Sequence, residues 1–163
     1  MSTEIQALER RIARLEAVEA IKALKYRYWR ACDGKDPAAF RGCFIQKGAS
    51  VDFGRLGRFD DADPIAEIFA DVALAKQDGR YMILDMHHGV HPEITLLDDG
   101  SAAGRWTLRF RNLNLVDGTE TVMAGEYDDR YVIEDGEWRM AQCHFTMLWN
   151  RTFPLPAEAS VVQ

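Results

Sequence analysis

Four histidines, a helix-end aspartate and an inward tyrosine are the residues of this 163-residue chain best suited to acid–base chemistry. His87 and His88 are adjacent, so on a strand they point to opposite faces. An imidazole in that position is a ready general base near neutral pH. A structural histidine with satisfied hydrogen bonds is the other reading of His87. His91 shares the parity of His87 if the strand is regular, but the neighbouring Pro92 predicts a bulge or an edge. Asp85, His87 and His91 would share one face of a regular strand and form a conceivable metal set. Histidines four apart, however, are a helical metal-binding spacing, and no three ligands stand at a convincing separation. No metal and no other cofactor is expected.

Asp33 lies in Asp33-Gly34-Lys35-Asp36, a run that suits an ordinary turn. Tyr28 follows Ile21 and Leu24 on an apolar stripe and should point inward. Five residues of helix turn about 500°, leaving Tyr28 roughly 140° from Asp33. Tyr26, nearly in phase with Asp33, is therefore its competitor. His144 shares a face of the last strand with Met140, Gln142 and Thr146 and could supply a polar group to a pocket. Trp106, Phe110, Met123, Tyr127, Met147 and Trp149 are mostly core, with some lining the pocket.

These residues must be positioned by helices first and strands second. Residues 3–32 read as one helix, with Ile5, Leu8, Ile12 and Leu15 at heptad spacing. The stripe then slips to Val18, Ile21, Leu24 and Tyr28. The first half, residues 1–15, reads as an arm and the second as packed on the body. Gly34 is the expected stop. Asp36-Pro37 starts a second helix, expected to run to about Gln46, and Asp63-Pro64 starts a third, expected to reach about Lys76. Ser50–Phe53 reads as a short strand before the turn Gly54-Arg55-Leu56-Gly57. Four long strands follow, at 86–97, 101–116, 119–134 and 137–150, joined by Asp99-Gly100, Asp117-Gly118 and Asp135-Gly136. Residues 151–163 read as a tail. The expected architecture is one α+β domain over 1–163, a cone-shaped α+β barrel with helices packed on a strongly curved antiparallel sheet. The apolar interior of such a cone suits a small molecule.

Net charge is −6, from 20 basic and 26 acidic residues. With no long run of Lys and Arg, nucleic acid and anionic membranes are poor partners. No apolar stretch approaches the ~18 residues of a membrane span. The N-terminus lacks a secretory pattern. Cys32, Cys43 and Cys143 form no CxxC pair, which fits idle thiols in a cytoplasmic chain.

Two segments carry a resemblance to a known family. One is Tyr28-Trp29-Arg30-Ala31-Cys32-Asp33-Gly34-Lys35-Asp36 with Phe40 and Phe44. The other is His87-His88-Gly89-Val90-His91-Pro92-Glu93-Ile94 with Ala102-Ala103-Gly104-Arg105-Trp106. The pattern, over roughly residues 10–150, resembles the SnoaL-like group of the nuclear transport factor 2-like superfamily. Within it, the similarity is to the branch of bile acid 7α-dehydratase, scytalone dehydratase and hexachlorocyclohexane dehydrochlorinase. The resemblance implies a catalytic Asp–His pair at Asp33 and His87, with Tyr28 on the first helix. It departs from the pattern where some relatives carry a late arginine, here Ala141-Gln142-Cys143-His144-Phe145. The second acidic residue of bile acid dehydratase is also missing from Leu108-Arg109-Phe110-Arg111-Asn112, which argues against a bile acid.

The expected activity is that of a cofactor-independent lyase or isomerase working on a hydrophobic cyclic or polycyclic substrate. The catalytic residues would be Asp33, His87 and Tyr28. His144, Trp106, Phe110, Tyr127 and Trp149 would bind the substrate. The alternative is a non-catalytic binding protein for an apolar small molecule. The apolar stripe of the arm predicts a homodimer or homotrimer.

Overall fold

In the computed structural model, which describes residues 3–159 and 161, helix α1 spans Thr3–Asp33. Its second half buries Ile21, Leu24, Lys25, Tyr28, Trp29 and Cys32, one stripe at helical spacing. The arm residues Ile5, Leu8, Ile12 and Leu15 are exposed. At the helix end, the Gly34 N–H donates to the Arg30 carbonyl (2.8 Å) and the Asp36 N–H to that of Ala31 (2.9 Å). The helix stops at Asp33, directly before Gly34 as expected, and the left-handed residue is the next one, Lys35, at φ 58°. Gly34 supplies space instead, since a Cβ would lie 2.8 Å from the Arg30 oxygen.

Helix α2 is only Pro37–Arg41, capped by Asp36, whose side chain accepts from the Ala39 N–H. The expected extension to Gln46 fails because the sheet takes that backbone. The Ile45 N–H donates to the Met140 carbonyl and the Met140 N–H to that of Cys43. The Arg41 guanidinium then ties down the carbonyls of Ile45 and Gln46. Strand β1 (Ser50–Asp52), a 3-10 turn (Gly54–Leu56) and β2 (Arg58–Phe59) precede helix α3, Asp63–Ala73. A small hairpin, β3 (Lys76–Gln77) and β4 (Arg80–Tyr81), turns at Asp78-Gly79, so α3 stops at Ala73, short of the expected Lys76.

The four long strands are β5 (Ile83–Leu96), β6 (Ala102–Asn114), β7 (Thr119–Glu134) and β8 (Glu137–Pro154). Strand β8 thus runs through Pro154, into the stretch assigned by sequence to a tail. The sheet order is β2-β1-β8-β7-β6-β5, antiparallel except for β1 beside β8. The sheet is curved over the helices but not closed, with β2 and β5 as its edges. The α+β cone is therefore as expected, and the barrel is open.

Gly89 on β5 governs how closely α1 approaches the sheet. A Cβ at Gly89 would lie 1.8 Å from the Trp29 ring, so only glycine lets that indole rest on the strand. Gly89→Ala is expected to cost about 1–3 kcal/mol, the usual range for overpacking, measured by urea denaturation. The same displacement would loosen α1 against the segment of β5 that carries His87.

Candidate active site

Helices, sheet and the turn after β1 converge on one cavity of about 500 Å³. Helix α3 contributes Ile65, Ile68, Phe69 and Val72, an apolar stripe at i, i+3, i+4 and i+7. Helix α1 contributes Tyr28 and Cys32. The curved sheet contributes its inward residues, among them Asp85 and His87 from β5, and Leu108, Phe110 and Asn112 from β6. The turn after β1 brings Phe53, Arg55 and Leu56 to the cavity.

Asp33, at the end of α1, meets His87 across 54 positions of sequence. Its Oδ1 lies 2.5 Å from His87 Nδ1. Both carboxylate oxygens also accept from the His87 backbone N–H, each at 3.1 Å. A carboxylate accepts only, so Nδ1 carries a proton in this contact, and in the neutral imidazole that leaves the lone pair on Nε2. The imidazole packs on Phe110, with ring centroids 4.7 Å apart. His87 lines the cavity, whereas Asp33 stands behind it. The angular gap between Tyr28 and Asp33 on α1 is therefore no obstacle, because His87 carries the reach.

Tyr28 is buried, lines the cavity, and packs on Phe40, Phe44 and Tyr127. Burial, and then the neighbouring Tyr127, hold its phenol well above the usual range, so it stays a neutral donor. Its competitor Tyr26 is 45% exposed and lies against Trp29 and Trp106. Burial likewise pushes the thiols of Cys32, Cys43 and Cys143 upward, leaving them un-ionised.

Of the expected substrate-binding residues, Phe110 and Tyr127 line the cavity and three others do not. Trp106 is buried in the core, where its Nε1 donates to the Tyr131 hydroxyl (3.0 Å). Trp149 is 51% exposed. A bulge sets Gly125 opposite Met147 and Ala124 opposite Trp149, making Leu148 the extra residue. Inward parity therefore passes from Met147 to Asn150. His144 bonds Ser50 Oγ through Nε2 at 2.7 Å, away from the cavity. A second bulge, at Ala141, takes Met140 off the face of His144.

His88 is exposed, opposite in facing to His87, as its position predicts. The bulge foreseen at Pro92 lies between Val90 and Glu93, with His91 at φ 54°. Among the described residues, no group of three His, Cys, Asp or Glu side chains is arranged to hold a metal. No helix among them is long and apolar enough to cross a membrane.

The sequence model of the SnoaL-like domain matches residues 13–144, most of the chain. The chain belongs to the SnoaL-like family. Solved structures of similar fold agree with this placement. A Novosphingobium aromaticivorans protein, to which scytalone dehydratase activity is ascribed, shares 15% identity at a TM-score of 0.75. The alignment covers 91% of this chain and 97% of that one. The type 3 hexachlorocyclohexane dehydrochlorinase of Novosphingobium barchaimii shares 14% identity at 0.75, covering 93% and 98%. A second N. aromaticivorans protein, described as an aromatic ring hydroxylase, shares 19% at 0.72, covering 85% and 94%. At such identities the likeness is one of fold, and SnoaL-like folds carry more than one chemistry.

Two features of this SnoaL-like chain escaped the reading by sequence. Asp85 and Asn112 pair inside the cavity, Asn112 Nδ2 donating to Asp85 Oδ1 at 2.7 Å. The signal was strand parity: Asp85 stands two before His87, and Asn112 two after Phe110. Behind Tyr28 and Tyr127, a fully buried Lys25–Asp129 ion pair (2.7 Å) ties α1 to β7. Lys25 Nζ also sits 3.7 Å from the Tyr127 ring centroid, and the Tyr131 hydroxyl donates to Asp129 Oδ2 at 2.6 Å.

Proposed function

We propose that this protein is a cofactor-independent lyase or isomerase of the dehydratase type, acting on a hydrophobic cyclic or polycyclic substrate. The observation that carries the proposal is the 2.5 Å Asp33–His87 contact at the wall of an otherwise mostly apolar cavity. His87 Nε2 takes the proton from a carbon next to a carbonyl. Asp33 stabilises the imidazolium that results and holds the ring in the reactive tautomer, as the acid of an acid–His pair does elsewhere. The Tyr28 phenol donates to the carbonyl oxygen as charge develops there. In a dehydration, the C–O bond then breaks, the leaving hydroxyl takes the proton back from His87 as water, and an enone remains.

Incubation with cyclic β-hydroxy ketones, followed by mass spectrometry for loss of water and by absorbance for the enone, tests this reading. Saturable binding with no turnover across such a series would favour the non-catalytic binding protein. A second copy of the chain is the proposed cover for the exposed stripe Ile5, Leu8, Ile12 and Leu15, whose heptad spacing suits helix–helix packing. Light scattering should give the mass of a dimer or trimer. A monomer at micromolar concentration contradicts that proposal.

A further inference from the structure

We infer that Asp85, held by Asn112, is the substrate-recognition carboxylate of the cavity, and that the preferred ligand is a cyclic compound bearing a hydroxyl about one ring away from the carbon that loses its proton. The inference rests on the proposed function for the position of that carbon. Asp85 and His87 occupy alternate positions of β5 and both line the cavity. On a strand this sets their backbones roughly 6.7 Å apart along one wall. Asn112 is the direct cross-strand partner of Asp85, and its amide donates to Oδ1 at 2.7 Å. That bond fixes the carboxyl group and leaves acceptor capacity unused, since a carboxylate offers about four lone-pair sites.

Among the described residues, Asn112 alone bonds this carboxylate. His87 already has its acceptor in Asp33. No lysine or arginine pairs with Asp85 among the described residues. The cavity it lines is otherwise largely hydrocarbon, including Ile83, Leu108, Phe110 and Met123. A ligand that fills this space excludes water, and one without a donor leaves the carboxylate under-bonded. A ring hydroxyl facing Asp85 replaces the water it lost. Asp85 therefore selects hydroxylated rings and disfavours bare hydrocarbon or polyhalogenated ones.

The probes are α-tetralone and its ring-hydroxylated isomers, titrated calorimetrically into the whole protein. At least one hydroxylated isomer is expected to bind about 10- to 100-fold more tightly than α-tetralone, the usual worth of a hydrogen bond to a charged group. Asp85→Leu should abolish that preference while α-tetralone binds as well as before or better. Asp85→Asn, of nearly the same shape, should reduce the preference to a few-fold and serves if the leucine variant does not fold. Equal affinity for parent and hydroxylated isomers overturns the inference. So does an undiminished preference in Asp85→Asn, or failure of every hydroxylated isomer to bind. His87→Ala should keep the preference, so loss of turnover and loss of recognition are read separately.

Discussion

Substituting His87 by alanine should lower turnover about 10²–10⁴-fold, the usual worth of a positioned general base. Asp33→Asn should be comparably damaging for a different reason. An amide placed at Oδ1 can turn its NH2 towards Nδ1, which moves the ring proton to Nε2 and removes the base; in other acid–His pairs this exchange costs about 10⁴ in rate. Because the two residues act as a unit, the double variant should be little worse than the more damaging single one. The measurement is kcat/KM for the four proteins on one cyclic β-hydroxy ketone. Additive losses would mean that Asp33 and His87 act separately, despite their 2.5 Å contact.

A second large effect concerns stability. Asp129→Ala should lower the free energy of unfolding by about 3–5 kcal/mol, because it leaves Lys25 charged, fully buried and without its anion. Among the described residues, the faces of Tyr127, Tyr28 and Trp29 and the Cys143 sulfur are what remain near that ammonium. The Tyr131 hydroxyl also loses its acceptor. Against a typical total of about 5–15 kcal/mol, such a loss is large. Replacing both partners by hydrocarbon, as Lys25→Met with Asp129→Leu, should recover much of it, since the cost lies in the orphaned charge. Urea denaturation of these two variants beside the parent protein decides this. An Asp129→Ala protein within about 1 kcal/mol of the parent, close to the range of a neutral surface change, would contradict this reading.

The sequence carries the helix and sheet framework because its punctuation is local. Asp36-Pro37 and Asp63-Pro64 mark helix starts, and the Asp-Gly turns separate strands whose alternation shows in Trp106, Leu108 and Phe110 against Arg105, Arg109 and Arg111. What local pattern does not carry is the insertion of single residues into long strands. The bulge at Leu148 reverses parity, so Trp149 turns out of the cavity and Asn150 lines it, and the bulge at Ala141 separates the inward Met140 from His144. The end of α2 is hidden for a related reason: pairing of residues 43–45 with Met140 spans nearly a hundred positions, and no propensity reports it. The Asp33–His87 pair lay in the family resemblance rather than in spacing, since Asp33 alone reads as a turn residue. Lys25 and Asp129 were legible in principle. Lys25 falls on the stripe of Ile21, Leu24 and Tyr28, and Asp129 on the inward face between Tyr127 and Tyr131.

The central claim is that His87 removes a proton from carbon inside the cavity. Hydrogen–deuterium exchange at the carbon beside the carbonyl of α-tetralone, followed by proton NMR in deuterium oxide, tests it without knowledge of the natural substrate. Exchange catalysed by the parent protein, saturable in ketone and reduced to the buffer rate by His87→Ala, is the result predicted here. Exchange at the buffer rate with the parent protein, under conditions where the ketone is shown to be bound, would contradict it.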